Sequence, residues 1–196
     1  MPKIVDENEK QRIKELMFEK GVNLIKQKGI KKVTVEDITK ATGIGKGSFY
    51  LYYNSKEELL YDILKRCESN MFNRIEALKS NKISKKEKAI KAAKEIFLAP
   101  DSIILYVTPT DFESLLRRLP SEIYEQEKEK AKDYFKRTTD IFEIDENACD
   151  INVLSQLMDA LSFVASNSNN FYSDGRQKAL EILVTAIAEY IAGETR

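Results

Sequence analysis

The chain has 196 residues, of which 42% are hydrophobic and 33% are charged, and 32 Lys and Arg balance 32 Asp and Glu. These proportions supply enough apolar side chains for a core. They exclude a membrane protein, since no run approaches the roughly 18 apolar residues of a spanning helix. Histidine is absent, which removes the commonest metal ligand and the commonest general base. We therefore expect no metal site, no catalytic residue and no cofactor.

The first residues and the two cysteines indicate the compartment. The segment MPKIVDENEKQ lacks the apolar region of a secretory signal. Cys67 and Cys149 have no partner motif and are typical of reduced thiols. We expect a cytoplasmic protein that does not bind a membrane.

Charge is distributed unevenly along the chain. Residues 1–56 hold 12 Lys and Arg against 7 Asp and Glu, whereas residues 57–196 hold 20 against 25. A chance fluctuation would also give this imbalance, but a basic front and an acidic back favour a first segment that meets a polyanion.

The first part of the chain predicts an amphipathic helix and then a capped one. Apolar residues recur at helical spacing over residues 9–28, and Gly29 ends that helix. Thr34 followed by Asp37 resembles a capping box, with an acid in place of the usual Glu or Gln. The second helix is expected to end at Gly43.

Two further helix starts follow closely. A short helix fits residues 46–53, and Ser55 with Glu58 forms a capping box that opens a long helix to about Lys79. A short helix, a glycine turn and another short helix is the helix-turn-helix pattern. The inward positions expected to close its small core are Ile38, Ala41, Ile44 and Phe49.

The remaining sequence is helical by pattern as well, so the fold class is all-α. Helices are expected within residues 84–99, 101–109, 110–120, 121–143, 150–170 and 175–193. Four acids on the charged helix over 121–143 are expected to form a solvated face, namely Glu122, Glu125, Glu127 and Glu129.

The stretch TGIGKGSFYLYYNSKEEL, residues 42–59, combines glycines with aromatic residues. A phosphate-binding loop is excluded, because position 40 is Lys where that loop needs glycine. In a helix-turn-helix, Gly43 permits the left-handed turn and Gly47 allows close approach of another backbone. Phe49 then points inward, and the side chains free to point outward are Lys46, Ser48, Tyr50 and Tyr52.

This segment resembles the signature of the TetR family of bacterial transcriptional regulators. The matching residues are Thr34, Val35, Ile38, Gly43, Ile44, Gly47, Ser48, Phe49, Tyr50, Tyr52, Tyr53, Lys56, Glu57, Glu58 and Leu59. The chain departs from the usual pattern at three positions: Gly45 replaces a Ser or Thr cap, Gly21 replaces alanine, and Tyr53 replaces phenylalanine.

The resemblance implies particular contacts with DNA. It assigns the reading of base edges to the start of the recognition helix, here Gly45, Lys46, Gly47 and Ser48, with Tyr50 beside them. It assigns phosphate contacts to Thr34, Tyr52 and Lys56. The alternatives are that Tyr50 or Tyr52 belongs to the core and that Lys46 is only solvated.

The resemblance also implies two domains, a three-helix helix-turn-helix DNA-binding domain over residues 1–54 and a helical ligand-binding and dimerisation domain over 55–196. The expected activity is that of a ligand-responsive repressor that binds a palindromic double-stranded DNA operator. The effector is expected to be apolar or amphipathic. The candidate pocket residues are Phe97, Tyr106, Phe112, Leu116, Tyr134, Phe135 and Phe163, each of which would otherwise be core.

The last two helices are the most apolar parts of the chain and predict a homodimer. Residues 151–165 and 179–191 carry more apolar side chains than a slim subunit would bury, so a four-helix bundle between two subunits is expected to hide them. Leu161 and Ile187 are expected to lie in that interface. Two other functions stay open: a helix-turn-helix protein that bends DNA, and a helical interaction module that binds no DNA.

Overall fold

The computed structural model describes residues 7–79, 83–130, 150–166 and 173–193, and all regular elements in these ranges are helical. The α-helices are α1 Glu7–Lys28, α2 Val35–Thr42, α3 Lys46–Phe49, α4 Lys56–Lys79, α5 Lys85–Phe97, α6 Pro109–Leu116, α7 121–130, α8 Ile151–Ser166 and α9 Ser173–Ile191. Short 3-10 turns span Ile30–Lys32 and Ile104–Tyr106. The all-α prediction is confirmed. Over the described ranges, none of the helices has the length and apolar character to cross a membrane.

A first hydrophobic core joins α1, α2 and α3 to the beginning of α4. Its fully buried members include Met17, Ile38 and Phe49, which come from three different helices. Residues from beyond the helix-turn-helix also enter it, namely Leu59, Leu60, Ile63, Cys67, Ile103 and Leu115. The helix-turn-helix therefore packs directly against α4 and α6 through a shared core.

One inward position of α2 differs from the prediction. Ala41 is exposed, whereas Thr39 and Thr42 are buried beside Ile38. The Thr42 hydroxyl donates a 2.7 Å hydrogen bond to the Ile38 carbonyl. This bond lets a polar residue occupy the buried face, because the hydroxyl is satisfied within its own helix.

A second hydrophobic core joins the later part of α4 to α5, α8 and α9. Leu161, Val184 and Ile187 are fully buried there, together with Ala93 of α5. Tyr106 packs against both cores.

This packing changes the prediction for the last two helices. Leu161 and Ile187 are 0% exposed within a single subunit, so α5 and α4 already cover the side chains that were expected to need a partner. The large apolar side chains of α8 and α9 that remain exposed are Val153, Phe163 and Ile182, at 43%, 67% and 59%. An interface between subunits would involve that outer face.

Candidate functional site

The start of α2 is held by reciprocal hydrogen bonds around Thr34. The Asp37 amide donates to Thr34 Oγ1 at 3.1 Å, and the Thr34 amide donates to Asp37 Oδ2 at 2.9 Å. Lys28, in the last turn of α1, lies 2.6 Å from the Asp37 carboxylate. Hydrogen bonds from Lys28 and then Thr34 lower the pKa of Asp37 to about 2. The capping box fixes the backbone of exposed Thr34 at the entrance of α2.

The turn between α2 and α3 depends on glycine. Gly43 has φ 73°, in the left-handed region, and its amide donates to the Thr39 carbonyl. A side chain at this position would be strained. Gly45 then precedes α3 with extended backbone and offers no side-chain cap.

The recognition helix is shorter than predicted. Residues 46–53 were expected to be helical, but the α-helix spans Lys46–Phe49 and the next residues form tight turns. The Leu51 amide donates to the Ser48 carbonyl and the Tyr52 amide to the Phe49 carbonyl, at 3.1 and 3.0 Å. Gly47 lowers the helix propensity of this short segment, and the Leu51 and Tyr52 amides bond three residues back instead of four.

The aromatic residues of this stretch are divided between core and surface. Phe49 is 0% exposed and Tyr53 is 5% exposed, whereas Tyr50 is 53% exposed. The Tyr53 hydroxyl donates a 2.7 Å hydrogen bond to Asp62, which satisfies it inside the protein. Tyr52 is half-buried and packs against the first core.

The structure also exposes a residue that sequence reasoning missed. Leu51 lies between Tyr50 and Tyr52 and is 63% exposed. A single exposed apolar side chain is ordinary on a protein surface, so Leu51 joins the candidate residues because it adjoins Tyr50, which is 53% exposed. Its place between two tyrosines that were predicted to point outward was the available signal.

Most of the predicted DNA contacts lie in one short segment of the chain, and Thr34 and Lys56 flank it. Gly45, Lys46, Gly47 and Tyr50 are exposed and Ser48 is partly exposed, while Thr34 is exposed at the start of α2. Lys56 is only partly accessible: its side chain is 20% exposed and lies 3.8 Å from Glu57. We call residues 45–52 the reading segment.

The capping of α4 differs in detail from the predicted box. The Glu58 amide donates to Ser55 Oγ at 3.1 Å. In return, the Glu58 carboxylate accepts from the backbone and side chain of Asn54, at 2.8 and 2.9 Å. The cap thus positions Lys56, the proposed phosphate contact, in the first turn of α4.

A cavity of about 450 Å³ lies between α4, α6, α7 and the chain around residues 102–109. Among the predicted pocket residues, Phe112 lines it. Leu116 is buried, Phe97 and Tyr106 pack against the cores, and Phe163 is exposed. Tyr134 and Phe135 lie outside the described residues. The other apolar lining residues are Leu64, Cys67, Met71, Ile96, Ile103, Ile104, Val107 and Pro109.

A charged cluster on the cavity wall corrects the prediction for Glu127. Its side chain is 5% exposed instead of solvated. Its carboxylate accepts hydrogen bonds from the Tyr61 hydroxyl at 2.9 Å, from Lys65 at 3.1 Å and from Lys130 at 3.1 Å. Burial would raise the pKa of Glu127, but the bonds from Lys65, Lys130 and Tyr61 outweigh it, and the pKa lies below its ordinary value. This cluster ties α7 to α4.

Helix α6 touches both the cavity and the helix-turn-helix. Phe112 lines the cavity, while Asp111 forms a 2.6 Å ion pair with Lys31 in the first 3-10 turn. Leu115 is buried in the first core, and Arg118 lies 3.5 Å from Glu57 at the start of α4. Helix α6 therefore contacts the cavity on one side and the helix-turn-helix on the other.

The described residues contain no group of three or more His, Cys, Asp or Glu side chains placed to hold a metal ion. Cys67 is buried on the cavity wall. Burial and then the nearby Asp101 carboxylate raise the pKa of its thiol to about 12, so it is protonated near neutral pH.

Comparison with known proteins identifies the helix-turn-helix region. Residues 18–63 match the family described as "Bacterial regulatory proteins, tetR family". The uncharacterized HTH-type transcriptional regulator YuxN of Bacillus subtilis is 38% identical over 65 residues, which are 33% of this chain and 22% of YuxN. The chain thus aligns with about a fifth of that relative's length.

Solved structures resemble the fold of nearly the whole chain. The fatty acid degradation regulator FadR of Bacillus halodurans has a TM-score of 0.61 at 20% identity, covering 94% of this chain and 96% of its own. FadR of Bacillus subtilis, solved in complex with stearoyl-CoA, has a TM-score of 0.52 at 20% identity, covering 91% and 98%.

A helix-turn-helix with an exposed reading segment, packed through a shared core against further helices, has the architecture of a helix-turn-helix DNA-binding protein. Residues 18–63 carry the sequence pattern of the TetR family of bacterial transcriptional regulators, and the relative that matches this region is an HTH-type transcriptional regulator. That family and the structural relatives are regulators and not enzymes.

Proposed function

We propose that the chain binds an inverted-repeat operator in double-stranded DNA as a homodimer and represses transcription until a small effector binds. The observation that carries this proposal is the reading segment, residues 45–52, which is exposed while Phe49 within it is fully buried. A rigid anchor with polar and aromatic side chains directed outward suits docking in a DNA groove. A bacterial DNA partner implies a cytoplasmic location.

The distribution of polar groups supports the DNA assignment. Lys46 and Ser48 lie on the short α3, where a recognition helix reaches base edges. Tyr52 and Lys56 follow, with a hydroxyl and an ammonium suited to phosphate oxygens. The surplus of basic residues over residues 1–56 adds a sequence-independent attraction to DNA.

The outer face of α8 and α9 supports the homodimer. Val153, Phe163 and Ile182 are exposed there, and a second copy of the chain is the occupant we propose. A two-fold pair of subunits would present two identical reading segments, and therefore an inverted repeat in DNA.

The cavity supports an effector. Its volume of about 450 Å³ lies within the range of roughly 300–1,000 Å³ typical of small-molecule sites. Its mainly apolar lining suits an apolar or amphipathic molecule. Release of DNA would follow if the effector favours a state in which α6 and the helix-turn-helix are repositioned.

The test is a binding titration with the DNA upstream of the chain's own gene, beside a scrambled fragment of equal length and composition. We expect tighter binding to the upstream fragment, and mutation of either half of its inverted repeat should abolish the preference. Equal binding to both fragments, accompanied by bending, would instead identify an architectural DNA-binding protein. Absence of binding to both would identify an interaction module.

A further inference from the structure

We propose that the cavity binds an anionic amphiphile, whose acid group is held by Lys65 and Lys130 while its apolar chain lies against Leu64, Met71 and Phe112. This inference rests on the proposed effector role of the cavity and adds the chemical class of the effector.

The apolar part of the wall comes from several elements. Leu64, Cys67 and Met71 line it from α4, Ile96 from α5, and Phe112 from α6. Burial of an apolar chain against such side chains removes its surface from water and is favourable for each methylene group that is buried. The wall therefore favours a ligand with an extended hydrocarbon portion.

The polar part of the wall is concentrated between α4 and α7. Lys65 and Glu68 lie one turn apart on α4, and Glu127 and Lys130 lie one turn apart on α7; all four line the cavity. Lys65 forms ion pairs with Glu68 and with Glu127. A ligand that fills the cavity would thus place its polar group against this cluster.

The lysines of this cluster have unused hydrogen-bond donors. Glu127, its most buried carboxylate, can accept few further hydrogen bonds. An ammonium group has three donors, and among the residues that the structure describes Lys130 pairs with Glu127 while its side chain stays 58% exposed. Glu127 already accepts from three groups and is 5% exposed. Glu68 is engaged by Lys65. An added acid group would find free ammonium donors, whereas an added ammonium group would compete with Lys65 and Lys130 for carboxylates they already neutralise.

The experiment compares three ligands that share one chain and differ in head group. Dodecanoic acid, dodecan-1-ol and dodecylammonium are titrated into the full chain by calorimetry below their micelle-forming concentrations. We expect the acid to bind at least about tenfold more tightly than the alcohol, since a hydrogen bond to a charged group contributes about 1.5–3 kcal/mol, of which 1.4 kcal/mol corresponds to tenfold. The ammonium compound should bind most weakly.

Variants separate the head-group site from nonspecific uptake. Lys130→Met should reduce the affinity for dodecanoic acid about tenfold and leave the affinity for the alcohol unchanged. Lys130→Arg should keep the affinity for the acid. Lys128→Met is the matched control, because Lys128 is exposed on the same helix but does not line the cavity. Phe112→Ala should weaken acid and alcohol alike.

Equal affinity for acid and alcohol, preference for the ammonium compound, or failure of all three to bind would overturn the proposal. Acid binding that is unaffected by both Lys130→Met and Phe112→Ala would place the ligand elsewhere and overturn it as well. Operator binding is measured separately without ligand, so failure of the head-group inference is distinguishable from failure of the DNA-binding function.

Discussion

A Cβ atom on Gly21 would lie 2.3 Å from Cδ1 of Ile63, closer than packed side chains approach. Gly21 is on α1 and Ile63 on α4, and Ile63 is 0% exposed. The glycine that departs from the usual family alanine is thus matched to an isoleucine that fills its space. This contact joins the helix-turn-helix to α4, the helix that continues into the second hydrophobic core.

Gly21→Ala should destabilise the fold despite the better helix propensity of alanine. Overpacking a core costs about 1–3 kcal/mol, whereas the propensity gain is about 0.8–1 kcal/mol. The control is a double-mutant cycle with Ile63→Val, which removes Cδ1. Ile63→Val alone should cost about 0.5–1.5 kcal/mol, but in the Gly21→Ala background it should cost nothing or stabilise. Additive effects in urea unfolding would contradict the contact.

The Lys28–Asp37–Thr34 arrangement should make stability depend on pH. The pKa of Asp37 is lowered to about 2 in the folded protein, below its unfolded value of roughly 3.9. Its contribution is therefore fully present above about pH 4 and is lost as the pH falls through about 2. Asp37→Asn should lower the urea midpoint at pH 6, and the gap from the unaltered chain should narrow at pH 3. A gap that stays constant between these pH values would show that the carboxylate charge is not involved.

Local signals in the sequence predicted the helix-turn-helix well. Thr34 and Asp37 do form a capping box, and Gly43 does adopt the left-handed turn. Both features depend on residues close together in the chain, so their chemistry is visible in the sequence. The predicted length of α3 was wrong, because the helix propensities of residues 50–53 do not show that the backbone between Ser48 and Tyr52 forms tight turns.

Features that depend on distant residues were not predictable in the same way. Glu127 looks like one more acid on a charged helix, and its burial results from Tyr61 and Lys65, more than 60 positions earlier. Leu161 and Ile187 were assigned to a dimer interface because periodicity shows which residues are apolar. Periodicity does not show whether these residues pack against α5 of the same subunit or against a partner subunit.

A charge on the outer face of α8 and α9 should dissociate the proposed homodimer. Ile182→Asp places a carboxylate at an apolar residue that is 59% exposed in the subunit, so it should favour monomers with little change in subunit stability. Light scattering at micromolar concentration would measure the mass. Leu51→Asp is the matched control, since Leu51 is equally apolar and 63% exposed but lies in the reading segment, and it should stay dimeric.

The core residues of the same helices should behave differently. Leu161→Asp buries a charge in the second core and should unfold the subunit instead of yielding a folded monomer. If Leu161→Asp gives a folded monomer and Ile182→Asp stays dimeric, the interface lies on the face of α8 and α9 that contains Leu161, and our assignment to the outer face is wrong.

Gly47 should be required for DNA binding and not for the fold. A Cβ added at Gly47 meets no atom within 4 Å, and its φ is not in the left-handed region. Gly47→Ala should therefore leave stability unchanged or raise it by about 0.4–1 kcal/mol, yet weaken operator binding if the backbone approaches DNA closely. Gly43→Ala is the contrasting variant: at φ 73° it should lower stability. If the Gly47→Ala variant binds the operator with full affinity, Gly47 does not lie in the DNA interface.

Lys46 and Lys56 should affect DNA binding in different ways when replaced. Lys46 is exposed at the start of α3, so Lys46→Ala should cost about 1–3 kcal/mol of DNA-binding free energy and relax base preference at one position per half-site.

Lys56 is anchored in the first turn of α4, so Lys56→Ala should weaken DNA binding about equally on all sequences. It should also reduce the salt slope by about 0.9 for each phosphate that the lysine no longer neutralises. Binding titrations over salt and over single-base variants of the operator measure both effects. Lys91→Ala, at an exposed lysine of α5, controls for the removal of one positive charge. If Lys46→Ala keeps both affinity and base preference while the fold stays intact, residues 45–52 do not read the operator.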